Sequence, residues 1–356
     1  MPLRSYLFGC CVALFAVAAQ AESVSGLYQV REPVTGQGAD ARAQATQAAL
    51  DTLVLRLTGD PKAPQNPGLA ELRKDPQQII SQFGTEAGPP ETLLVDFDPG
   101  STERALRKAG LALWGSNRPA ILGWWLNDST EGSNLVGDGQ GNAEVLRRAA
   151  QHRGLPLRLP LADLEEQLVA TPKNLEGTDP SPLQAASGRY GADALLAVHA
   201  SEADGKWSGT WRLWLGDQRE QGKVEGADQA ALADAVMLAV SQRLAPRFVV
   251  KPGSSSEQLF QVQGMNLERY AELGRVLEPF AGRVTLVQGD VMTWKATGSS
   301  DQLRAQLGLA KLQELPPEAT PVTPAAPAPA PATPAEAGAA APAPAPAPFT
   351  GMRFRW

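Results

Sequence analysis

His152 and His199 are the only imidazoles in the 356-residue chain, and the only two thiols, Cys10 and Cys11, sit side by side near its start. Transition-metal sites need three or four such donors at fixed spacing, and none is present, so the sequence predicts neither metal nor cofactor. His199 lies in an apolar run and reads as a packed core histidine. His152 stands at a helix end, where the helix dipole favours a cation. Nucleophilic catalysis finds no Gly-x-Ser-x-Gly elbow and no Ser-x-x-Lys. Gly137 to Asn142 (GDGQGN) has the glycines of a phosphate cradle. It lacks the lysine and the preceding apolar strand, so it reads as a turn with Asn142 capping the next helix.

Paired carboxylates are the remaining catalytic possibility. Asp96 and Asp98 leave a strand end, and Asp163, Glu165 and Glu166 cluster in sequence. Glycoside cleavage needs two carboxylates about 5 to 10 Å apart across a cleft. Helix ends use the same residue types as caps, and Asp163 fits that role. The chain therefore reads as non-catalytic, with glycan binding or cleavage as the rival class.

Aromatic residues offer more. Trp207, Trp211 and Trp214 share one predicted strand, where period two puts Trp207 and Trp211 on one face and Trp214 on the other. One set belongs to a core; the other either packs as well, so that all but one or two tryptophans are in the core, or is exposed as a platform for a sugar ring or a protein partner. At the C-terminus, Met352, Phe354 and Trp356 alternate with Arg353 and Arg355, a strand pattern with one apolar face. Thr350-Gly351-x-x-Phe354-x-Trp356 resembles the terminal signal of outer-membrane β-barrels, although nothing upstream is a barrel. Gly351, Phe354 and Trp356 are thus candidate interaction residues of a docking peptide that adds to a partner's exposed sheet edge.

The elements that must carry these groups are punctuated clearly. Residues 1–21 read as a secretory leader: a basic start, an apolar run from Tyr6 to Ala19, and Ala19-Gln20-Ala21 as the cleavage site. The rival lipoprotein box, Leu7-Phe8-Gly9-Cys10, would leave few apolar residues before the cut and puts bulky Phe8 in a small-residue slot. Cleavage after Ala21 removes both cysteines, so no disulfide is expected even in a periplasm, and no membrane span remains. With 32 basic and 38 acidic residues, the net charge of −6 argues against nucleic acid or anionic lipid as the main partner.

Residues 22–250 read as a main mixed α/β domain. Its strands are Ser23 to Val30, Thr92 to Phe97, Ala120 to Leu126 and Leu155 to Leu159. Helices are expected over Asp40 to Leu57, Leu69 to Phe83, Ser101 to Lys108 (capped by Ser101), and Asn142 up to Gly154. A three-stranded antiparallel meander follows (Ala194 to His199, Lys206 to Leu215, Gln218 to Val224). A helix over Asp228 to Leu244 packs its Ala231, Ala235, Leu238 and Leu244 stripe on that sheet. After a Pro252 to Glu257 linker, residues 258–315 form a small β-α-β-β-α module. Residues 316–348 are an Ala/Pro-rich linker expected to be disordered and extended, about 3.1 Å per residue. Residues 349–356 are the aromatic-basic peptide.

Several segments together resemble an exported proteobacterial family, the domain-of-unknown-function 2066 family. They are Tyr28-Gln29-Val30…Pro33-Val34, Leu53 to Gly59 (LVLRLTG), Trp114…Arg118-Pro119 leading to Trp124-Trp125-Leu126, Arg153 to Leu164, and Ala186 to Leu196 (ASGRYGADALL). The resemblance spans roughly residues 23–250 and implies an exported protein of no established activity. The helix-capped meander also looks like envelope-adaptor domains of the Tol-Pal and penicillin-binding-protein activator type, which bind proteins. The expectation is a periplasmic adaptor or scaffold whose tail reaches a protein partner.

Overall fold

The computed structural model describes residues 24–316, apart from 25, 37, 89, 131 and 250–256, together with 349 and 351–356. The expected leader and residues 317–348 lie outside the described residues. The fold is mixed α/β as the pattern implied, built on three sheets.

The first sheet belongs to β1 (Gln29–Pro33), α1 (Ala39–Thr58), α2 (Ala70–Lys74), β2 (Ile80–Glu86), β3 (Thr92–Phe97) and α3 (Pro99–Lys108). Its strands run antiparallel in the order β1-β3-β2. Leu50, Leu53, Val54 and Leu57 of α1 are fully buried, as their i, i+3, i+4, i+7 spacing requires. The long helix expected over Leu69 to Phe83 is not formed. Pro76 disfavours helical backbone at Asp75 and α2 stops there; a 3-10 turn and then β2 follow. Asp98, not Ser101, caps α3 by accepting from the Ser101 backbone N–H at 2.8 Å.

The second sheet carries β4 (Ile121–Ser129), β5 (Gly132–Leu135), β6 (Leu157–Arg158), β7 (Ala194–Ala203), β8 (Lys206–Leu215) and β9 (Gln218–Gly226). The order is β5-β4-β7-β8-β9, with β6 beside β4 and β4 parallel to β7. On one face lie α4 (Ala143–Arg153) and α8 (Gln229–Phe248); their apolar side chains share a core with Trp207, Trp211 and Leu213. On the other face α5 (Leu164–Val169), α6 (Pro172–Leu175) and α7 (Ser181–Ser187) join Leu122, Trp124, Leu195 and Trp214 in a second core. α8 buries Leu232, Val236, Met237, Val240 and Leu244. Of the expected stripe only Leu244 is buried: Ala231 is exposed and Ala235 and Leu238 are half-buried, because Leu232 and Val236, one position on from the alanines, fill the space above the sheet.

The third sheet is the small module: β10 (Glu257–Gln263), α9 (Leu267–Leu277), β11 (Arg283–Gln288), β12 (Val291–Thr297), α10 (Ser300–Leu309), β13 (Gln313–Leu315) and β14 (Met352–Arg355). β10 to β13 follow a split β-α-β plan, with α9 and α10 contributing to one core. β13 extends the β-α-β-β-α unit read from the sequence. The module is joined to the rest through α10: Gln302 donates to the Val249 carbonyl, and Gln306 bonds the Asn117 amide.

Candidate functional site

The sheet order of the module is β11-β12-β10-β14-β13, so the C-terminal strand occupies an internal position between β10 and β13. β14 runs parallel to β10, with Val262 beside Phe354, and antiparallel to β13, with Leu315 opposite Arg353. Phe354 is 2% exposed and meets Phe260 edge to face at 6.1 Å. Met352 and Trp356 pack against the same core, and the Arg269 guanidinium lies 5.6 Å above the Trp356 ring. Gly351 enters the strand where a Cβ would fall 2.4 Å from the Leu259 carbonyl oxygen, so only glycine fits that approach.

The interaction residues Gly351, Phe354 and Trp356 are therefore brought together, but inside the chain's own module. The expectation of a free arm adding to a partner's sheet edge is corrected accordingly. The strand alternation was real. What the sequence did not show was that β10 and β13 stand one strand apart and leave a slot whose backbone groups need a partner.

The tryptophans of β8 follow the packed alternative, not the platform one. Trp207, Trp211 and Trp214 point to opposite faces as period two requires, yet all three are buried, at 7%, 2% and 5% exposure. A half-exposed meander would have left one set in solvent. The layer α5–α7 covers that face, and neither set is a platform.

The histidines serve as joints. His199 is hydrogen-bonded on both ring nitrogens, to Glu176 Oε1 at 2.6 Å and Asp128 Oδ2 at 2.7 Å, so it ties β7 to β4 and to the end of α6. It is a paired histidine rather than one packed among apolar groups. Burial pulls its pKa down, the two carboxylates outweigh this, and the net direction is upward. His152, near the end of α4, faces Asp234 of α8 at 3.0 Å and Glu32 of β1 at 3.3 Å. Burial again opposes the charged form, and hydrogen bonds to Asp234 and Glu32 raise the pKa overall. With both nitrogens engaged by carboxylates, neither ring has a nitrogen open to a substrate proton.

Beside His152, two buried arginines hold backbone instead of acids. Arg118, fully buried, donates to the carbonyls of Gly115, Trp114, Arg56, Arg153 and Gly154, and stacks 4.2 Å from the Trp114 ring. Burial, then the neighbouring Arg56 charge, lowers it to about 9, which still leaves it charged at neutral pH. Arg56 donates to the carbonyls of Leu27 and Gln29 at 2.9 and 2.7 Å. This cluster joins the first sheet to α4 and was not foreseen.

The carboxylates are structural. Asp96 accepts from the Gln29 amide, and Asp98 caps α3. Asp163 and Glu166 form a reciprocal capping box on α5, closed by Arg189 and Tyr190, while Glu165 lies exposed. Asn142 precedes α4 but makes no side-chain cap; Asp138 instead bonds Arg147 of α4 at 2.6 Å. Among the described residues no group of three His, Cys, Asp or Glu side chains could hold a metal, and no helix is long and apolar enough to cross a membrane.

A family model described as a domain of unknown function (DUF8605) matches residues 21–115. This is a different family from the domain-of-unknown-function 2066 family that the sequence motifs led us to expect. The matched stretch takes in the first sheet and its helices and ends before β4. No curated protein and no solved structure matches the chain.

Proposed function

We propose that this chain is a non-catalytic, protein-binding component of the cell envelope, an adaptor or scaffold in the periplasm. The observation that carries the reading is the capture of β14 between β10 and β13: the chain holds an extended aromatic-basic peptide by strand addition, a recurring mode of peptide recognition. Leu315 and Met352, on either side of the Ala/Pro-rich segment in sequence, therefore belong to one sheet.

Two further observations favour binding over chemistry. His152 and His199 are each bracketed by two carboxylates, and four of the five acidic candidates (Asp96, Asp98, Asp163 and Glu166) cap helices or pair strands, while Glu165 lies exposed. The glycan alternative relied on an exposed indole, and seven of the eight tryptophans are buried, with Trp356 half-covered in the module.

The test is crosslinking in the native cells followed by mass spectrometry. The reading expects crosslinks to a reproducible protein partner. Absence of any such partner, with the chain retained on isolated cell-wall glycan, overturns it.

A further inference from the structure

Glu166 is the one buried residue of α5, at 1% exposure, while Leu164 and Leu168 of the same helix are 74% and 72% exposed. An ordinary amphipathic helix does the reverse, burying its apolar stripe and leaving carboxylates in water. Leu161, two residues before the Asp163 cap, is a further 64% exposed.

A polar network keeps α5 turned this way. Glu166 accepts from the Tyr190 hydroxyl, the Arg189 guanidinium and the Asp163 backbone N–H, the last at 3.2 Å. The Tyr190 hydroxyl in turn accepts from the Leu161 N–H at 2.8 Å, and Arg189 bridges to Asp163 at 2.6 Å. A buried carboxylate is costly unless it is paired and hydrogen-bonded, so these bonds resist any roll of α5 that would bury the leucines. Leu164 and Leu168 are thus presented one turn apart on one face of a fixed helix.

Exposed apolar clusters mark interaction surfaces, and charge decides what this one meets. Arg189 is engaged by Asp163 and Glu166, and among the described residues the exposed Glu165, next to the leucines on α5, has no ion-pair partner. A second copy of the chain would bring its own Glu165 to the same seam, and an anionic lipid surface would meet that carboxylate with like charge. We propose that Leu161, Leu164 and Leu168 form a docking face for a basic amphipathic helix of a partner protein. The apolar stripe of that helix covers the leucines, and a lysine or arginine on its flank meets Glu165. The face locates the partner contact of the adaptor reading and rests on it, at a surface separate from the β14 slot.

The probe is a fluorescein-labelled helical peptide with a leucine stripe flanked by lysines, added to the full chain, with the Leu/Glu counterpart as control. Hydrogen exchange should slow over residues 164–169 when the Leu/Lys peptide binds. Leu164→Ser with Leu168→Ser changes two solvent-facing side chains and should weaken that binding by about tenfold or more. Leu267→Ser, at an 84% exposed leucine of α9, should leave it unchanged. Glu165→Lys should turn the preference toward the Leu/Glu peptide. The proposal is overturned if the serine pair binds as tightly as the parent or if Glu165→Lys leaves the preference unchanged. It is equally overturned if the leucines instead drive dimerisation in sedimentation, or flotation with phosphatidylglycerol vesicles. A protein partner crosslinked elsewhere on the surface would then leave the adaptor reading standing without this site.

Discussion

Leu315 and Arg353 lie directly opposite each other in adjacent antiparallel strands, although the whole Ala/Pro-rich segment separates them in sequence. The last residues are thus part of a folding unit and not an appendage to it.

The first consequence is energetic. Phe354 is buried in the module's core, and truncating a buried Phe costs about 3–5 kcal/mol. Phe354→Ala should therefore destabilise the module selectively, seen as rapid proteolysis within residues 257–315 while the first two sheets stay protected. Unchanged protease resistance there would contradict the placement of β14.

A second prediction concerns Arg118. Its guanidinium donates to five carbonyls, and a buried acceptor left unpaired costs about 1–3 kcal/mol. Arg118→Met should lower stability to denaturant by about 3 kcal/mol or more, and Arg118→Lys should not rescue it, because an ammonium cannot fork across separated carbonyls. Full rescue by lysine would show that charge alone matters.

Gly59 tests the seam between α1 and α8. Its φ of 64° is left-handed, and a Cβ would lie 2.1 Å from the Ala245 Cβ. Gly59→Ala should cost about 1–3 kcal/mol through strain and overpacking. Loss of that effect in the pair Gly59→Ala with Ala245→Gly would assign the cost to this contact.

The histidines set a pH dependence. Both are raised in the folded protein, so their contribution is full below the unfolded value of about 6.5 and is lost as pH rises through the folded values. Asp234 moves the other way: burial pushes it up, His152 and Arg153 outweigh that, and its contribution is lost as pH falls below about 3.9 toward its folded value. The thermal midpoint should decline as pH rises above about 6.5. His152→Asn with His199→Asn should flatten that decline. A midpoint that climbs over the same range would contradict the pairing.

What the sequence disclosed follows from which signals are local. The α1 stripe, the meander and the opposite facing of Trp211 and Trp214 all follow from periodicity, and the structure shows them. The burial of Trp214 depends on α5–α7, helices too short to show a 3.6-residue repeat. Arg118 has backbone partners, which every residue offers, so no motif marks it. The strand at Met352 to Arg355 was legible as a strand, but its neighbours Val262 and Leu315 are set by the packing of the module.

The captured C-terminal strand carries the functional reading, and paired cysteines test it most directly. In the full chain with Cys10→Ser and Cys11→Ser, the changes Gln313→Cys and Arg355→Cys place thiols on register partners of β13 and β14. Mild oxidation should close a disulfide within one chain, giving a compact species of single-chain mass that reduction reverses. Thiols that remain free, or that link only separate chains, would mean that β14 does not occupy its own module.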